Sequence, residues 1–265
     1  MKILLISDLE GRIPKGLKKF IKKNKIEAII SAGDFSTSCT KMIFKYWDLL
    51  GDFNDENMKK FDKLYGFKRA NRETIKSKND GVKVLKYLNS LGLPIYLVFG
   101  NQDYVGRKRA GTMMKKGFIS PGSQIPDVRK MKNLIYVHNK SRKLGDYYVV
   151  GFNNRFLTVK KPNKKLFKRK PIILVTHGPP KGCKFGKIRN KSSPRNGEDV
   201  GSLGGRKLVN RFKPFLNVTG HMHEHWGWQK IGKTTVVASG FGYGGKAVLL
   251  ELKAGKINMK KIILK

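Results

Sequence analysis

The chain has 265 residues, 39% hydrophobic and 10% aromatic, enough to bury a sizeable core as one large α/β domain or two small ones; we take one, spanning 1–265. Its 57 Lys+Arg against 18 Asp+Glu leave a formal charge of +39, far outside ordinary soluble composition. Two cysteines, Cys39 and Cys183, exclude a disulfide framework or a thiolate zinc site, and no apolar run reaches the length of a signal peptide or a membrane span. The expectation is a soluble, cytoplasmic protein with no membrane partner.

In chain order, short apolar and β-branched runs predict strands at Ile3–Ile6, Ala28–Ile30, Ile95–Phe99, Leu134–Val137, Tyr147–Val150, Ile172–Val175, Asn217–Thr219, Val236–Ala238 and Ala247–Leu252. Helical spacing lies between several of them. Leu17, Phe20 and Ile21 share one face, as do Val84, Leu85, Leu88 and Leu91 before Gly92, and Leu208, Val209 and Phe212 before Pro214. Alternation of strand and helix argues for a layered α/β fold. The stretch 39–79 mixes apolar residues with many lysines and reads as a helical insertion. The stretch 178–205 is glycine-rich and basic and reads as a long active-site loop without secondary structure of its own.

The charge has two readings. A surface this positive draws nucleic acid through counterion release, whereas only 13 of the 57 basic residues are Arg and the lysines are scattered from Lys2 to Lys265, which fits compositional drift. We favour drift; either cause raises affinity for phosphate-bearing ligands.

The residues just past the strands are more informative. Asp8 and Glu10 come after the first, Gly33-Asp34 after the second, Gly100-Asn101-Gln102-Asp103 after the third, His177-Gly178 after the Ile172 strand, and Gly220-His221-Met222-His223 after the Asn217 strand. In an α/β sheet the carboxyl ends of strands form the crevice where ligands bind, so these groups can converge. Carboxylate, amide oxygen and imidazole suit borderline divalent ions such as Mn²⁺, Fe²⁺, Ni²⁺ or Zn²⁺. Two ions about 3.5–4 Å apart would activate a water and neutralise a phosphoryl group during in-line displacement.

The order Asp8, Gly33-Asp34, Gly100-Asn101, His177, Gly220-His221-Met222-His223 resembles the calcineurin-like metallophosphoesterase superfamily, and within it the phosphoesterases related to the Icc cyclic-nucleotide phosphodiesterases. The resemblance implies a four-layer α-β-β-α sandwich of two mixed sheets flanked by helices. It implies one ion on Asp8, Glu10, Asp34 and His223, and a second on Asp34, Asn101, His177 and His221, with Asp34 as the bridge. The implied activity is phosphate-ester hydrolysis, with a nucleotide or nucleic-acid phosphodiester as the expected substrate and metal-bound hydroxide as the attacking group.

Two positions depart from the family's pattern. Glu10 stands where the family has His, and an anionic oxygen ligand there favours a harder ion, Mn²⁺ above all; the competing reading points Glu10 to solvent or to Arg12. Gln102 stands where the family has the His that protonates the leaving oxygen. An amide cannot do so, and this leaves it a substrate-orienting or structural role. These departures motivate the alternative function, a catalytically silent metal-binding scaffold that docks protein or nucleic acid. Gly178 and His225 are candidates for lining the substrate crevice, although solvent exposure is the reading we favour for His225; His138 reads as a surface or turn residue. Trp226, Trp228, Phe241 and Tyr243 read as core packing, with base stacking as the bolder reading.

Overall fold

The computed structural model describes residues 1–38, 55–105, 121–153, 163–253 and 256–265. The first sheet contains β1 (Lys2–Leu5), β2 (Ala28–Ser31), β3 (Ile95–Leu97), β4 (Leu134–Tyr136), β11 (Lys246–Lys253) and β12 (Lys256–Ile263). The second contains β5 (Ser141–Leu144), β6 (Tyr147–Phe152), β7 (Ile172–Thr176), β8 (Leu216–Thr219), β9 (Gly227–Ile231) and β10 (Thr234–Ala238). Their orders are β12-β11-β1-β2-β3-β4 and β5-β6-β7-β8-β10-β9. Each sheet has four parallel strands in its body, and only β11 and β12 in one and β5 and β9 in the other pair antiparallel.

The central strands are apolar on both faces because both faces are covered. Along β1, Ile3 and Leu5 point between the sheets, toward Ile30, Val149, Val175 and Val218. Leu4 and Ile6 point the other way, toward the helices α1 (Leu17–Asn24) and α3 (Phe67–Ser90), meeting Leu17, Ile21, Leu85 and Leu88. The outer face of the second sheet is closed by α5 (Leu203–Phe212), where Leu208 and Val209 pack on Val150, Phe152 and Leu174. Helix, sheet, sheet and helix make the four layers. Burying each such aliphatic side chain contributes about 1.5–3 kcal/mol.

Every predicted strand is present, and among the described residues three more were not predicted: β5, β9 and β12. All three lie at a sheet edge, and β12 shows why they are hard to read. Its sequence KINMKKII leaves every residue exposed or half-buried, with lysines that discourage edge-to-edge pairing. Within 39–79 lie α2 (Asp55–Leu64) and the first half of α3, and α3 continues without a break into the Val84–Leu88 face; residues 39–54 lie outside the described residues. A short α4 (Ile125–Arg129) leads into β4. Among the described residues no helix is long and apolar enough to cross a membrane.

The 178–205 loop differs from its expectation, because it has structure of its own. Cys183, free and buried, opens a 3₁₀ turn at Lys184–Gly186. Bridges join Pro180 to Ser202 and Lys187 to Asp199. The Asp199 carboxylate accepts from the amides of Gly182 (2.6 Å) and Gly201 (2.9 Å). Side-chain-to-backbone bonds of this kind replace the missing ladder.

Candidate metal centre

The predicted ligands all stand just beyond the carboxyl ends of parallel strands. At four of them the chain turns sharply: Asp8 (φ 55), Glu10 (φ 43), Asp34 (φ 57) and His221 (φ 71) have left-handed backbone, uncommon for residues other than glycine. Such conformations persist only where surrounding contacts enforce them, and they concentrate at functional sites. Close approach also explains two glycines. A Cβ at Gly100 would lie 2.0 Å from Asp34 Oδ1, and one at Gly220 would lie 2.4 Å from Asp8 Oδ2.

Asp34, His177 and His221 each offer a ligand atom, and these atoms lie within 4.8 Å of one another. His177 Nε2 is 3.2 Å from Asp34 Oδ2 and 2.9 Å from Asn101 Oδ1. Its Nδ1 lies 2.7 Å from the Ala32 carbonyl, and a proton donated there leaves Nε2 facing the site. The backbone amide of Gln102 donates to Asp34 Oδ1 at 2.8 Å, so this residue orients the Asp34 carboxylate through its main chain.

A second group lies beside the first. His223 Nε2 is 3.5 Å from Asp8 Oδ1 and 3.4 Å from Glu10 Oε1. Glu10 therefore turns into the site, and the readings that aimed it at solvent or at Arg12 are corrected. Asp8 accepts from the His221 amide at 2.9 Å and from the Ser7 hydroxyl. The His223 ring stacks on Phe241 (4.3 Å, 14°), Phe241 stacks on Tyr243 (5.0 Å, 19°), and the Arg12 guanidinium covers Tyr243 at 4.3 Å. Phe241 thus stacks on both a site histidine and Tyr243, which supports the packing reading over base stacking.

The carboxylates and imidazoles of the site shift one another's acidity. Burial works to strip the His177 proton, but Asp34 and then Asp8 outweigh it and raise the group to about 9. His223 is raised too, against burial, by Asp8 and Glu10. Glu10 is pushed up to about 7, chiefly by burial, which His223 opposes and Asp34 and Asp8 reinforce. Asp8 is held below its ordinary value although burial opposes this, because His223, His177 and Ser7 stabilise its charge. Carboxylates and imidazoles this close are a donor set that a divalent ion neutralises, so the residues fit the ions that the donor chemistry calls for.

Sequence reading missed Asp103, which is buried. Its carboxylate accepts from the amides of Asp34 (2.8 Å), Phe35 (2.9 Å), Ser36 (3.0 Å) and Gly100 (2.9 Å), joining the turns after β2 and β3. Burial, with Asp34 beside it, raises it to about 6 against those amides. Its place in the Gly100–Asp103 block was the only available signal. His225, expected at the surface, is buried: Nε2 lies 2.6 Å from the Lys187 carbonyl and the ring meets Phe185 edge-on. Those contacts tie it to the 178–205 loop. Gly178 is buried beside His177, its carbonyl accepting from Thr176 Oγ1. His138 is half-buried, lies directly before the turn at Asn139 and accepts from the Asn153 amide at 3.1 Å.

Two mixed sheets with helices outside, and a carboxylate–imidazole cluster at the strand ends, define a metal-dependent phosphoesterase architecture. The chain belongs to the calcineurin-like phosphoesterase family, whose sequence profile matches residues 1–225. Solved structures agree in fold. TT1561 of Thermus thermophilus superposes with a TM-score of 0.57 at 17% identity, over 98% of this chain and 97% of that one. A dimetal phosphatase from Danio rerio gives 0.54 at 9% identity, over 98% and 95%. No curated protein sequence matches the chain.

Proposed function

We propose that the protein is a phosphodiesterase working with two divalent ions, Mn²⁺ by preference, on a nucleotide or nucleic-acid ester. The observation that carries this reading is the division of the strand-end groups into two clusters, Asp34 with Asn101, His177 and His221, and Asp8 with Glu10 and His223, the Asp34 charge acting on Glu10 and His223 as well. Asp34 would bridge. When bound, the ions supply Lewis acidity and an activated water.

The chain's own residues set the preferences. Glu10 adds a negative charge where a neutral ligand would leave the site more positive, which disfavours a doubly charged monoester relative to a diester. Gln102 has no titratable proton, so departure of the leaving group depends on its own acidity. Purified protein with Mn²⁺ should therefore bind two ions per chain and hydrolyse bis(p-nitrophenyl) phosphate faster than p-nitrophenyl phosphate. One ion at saturation, or faster monoester cleavage, would sink the reading. A protein that takes up both ions and cleaves no ester would be the scaffold instead.

A further inference from the structure

A cavity of about 950 Å³ opens between the 181–204 stretch and the turn at His221–Glu224. Small-molecule pockets run to about 300–1,000 Å³, so there is room for far more than one phosphoryl group. His221 and His223 line it, which makes it continuous with the metal centre, and the loop contributes Lys181, Arg189 and Arg195.

The charges in this lining are unequal in availability. Asp199 is committed to the amides of Gly182 and Gly201, and Glu224 accepts from the Arg189 amide at 3.2 Å. Arg195 pairs with Glu198 at 2.8 Å. The Arg189 guanidinium has no hydrogen bond or ion pair with any described residue, although its backbone is firmly held. Glu224 holds its amide, His225 bonds the Lys187 carbonyl, and Ile188 pairs across the loop with Glu198 and Gly197 at 2.9 Å. Glu224 and His225 immediately follow His223, so the turn that carries the site histidines also fixes the loop segment that carries Arg189. With its backbone anchored beside such a centre and its side chain uncommitted, Arg189 can turn a guanidinium fork that matches phosphate toward an anion in the cavity.

We infer that this cavity is a second anion subsite, which receives a further phosphate borne on the same nucleotide unit as the scissile ester, with Arg189 as its main contact. The inference rests on the phosphodiesterase reading above and narrows its substrates. Such a phosphate comes either from the 3′ side of a nucleic-acid chain or from the pyrophosphate of a nucleoside polyphosphate.

Three esters with one leaving group separate these sources: thymidine 5′-(p-nitrophenyl phosphate), its 3′-phosphorylated derivative, and the terminal p-nitrophenyl ester of thymidine 5′-diphosphate. They are compared on the full chain with Mn²⁺ at fixed ionic strength. One of the two doubly phosphorylated esters should show kcat/KM about tenfold or more above the first, the scale of a charge-assisted contact. The preferred one names the source. That preference should fall to about one in Arg189→Ala and survive in part in Arg189→Lys. As a ratio within one preparation, it is independent of how much protein is folded or metal-loaded. Hydrolysis of all three at equal rates overturns the subsite while leaving the phosphodiesterase reading intact. A preference that persists in Arg189→Ala overturns the inference as stated. No hydrolysis of these esters or of bis(p-nitrophenyl) phosphate overturns the underlying reading, and the subsite with it.

Discussion

The two halves of the candidate centre are built differently. Around Asp34 and His177 the side chains are sealed, 2% and 0% exposed, and each contact atom has a fixed partner: Ala32 and Asn101 for the imidazole, the Gln102 amide for the carboxylate. In the other half Asp8 is sealed too, at 1%, but Glu10 and His223 remain 16% and 38% exposed, and among the described residues the ring is held by the Phe241 stack and the two carboxylates, with no hydrogen bond to the main chain. The sealed half has met its ordering cost on folding. The rim half keeps part of that cost for the moment of binding, so an ion there should exchange more readily.

Removing the proposed bridge gives the largest effect. Asp34→Ala should abolish binding of both ions and lower diester hydrolysis by roughly 10³-fold or more, the upper scale for losing one electrostatic contact at a reacting centre. Metal analysis and kinetics on the same sample check it; retention of one tight ion would show that Asp34 does not bridge.

Next is the support beneath the sealed half. Asp103→Ala leaves four buried amides without their acceptor, and each such loss costs about 1–3 kcal/mol, although water entry will recover part of it. A net loss of about 3 kcal/mol is expected in urea unfolding, while removal of the rim residue Phe241 should cost less. Equal losses would erase the distinction between the halves.

Acidity sharpens the comparison further. Because the folded His177 sits at about 9, above its ordinary 6.5, its proton stabilises the ion-free fold fully below the ordinary value, and that contribution is lost as pH rises through about 9. An incoming ion must displace this proton, so affinity at the sealed half should grow about tenfold per pH unit from about pH 7 to about 9 and then level off. Mn²⁺ titration calorimetry across that range measures it. Affinity independent of pH would mean that Nε2 is not a ligand.

The smallest effect is expected at the rim. Phe241→Leu frees the His223 ring from its stacked orientation and should weaken the more exchangeable ion by about tenfold, the lower scale for loss of a supporting contact, without changing the tighter one. Two-site Mn²⁺ titrations resolve the two.

The core strands and the order of the site residues were legible because β1, β2, β3, β7 and β8 are buried on both faces, leaving continuous apolar runs that end where polar residues begin. The edge strands β5, β9 and β12 lack that contrast, since half of an edge faces water and lysine is as acceptable there as isoleucine. By itself, the sequence determined which chemical groups stand at the strand ends, since each follows its own strand directly in the chain. Only the tertiary structure decided that Glu10 turns inward to His223, that Asp103 ties two turns together, and that Glu224 and His225 clamp the loop segment carrying Arg189. Those contacts join segments 35 or more positions apart and choose one side-chain direction among several, and local sequence leaves both open until the sheets have packed.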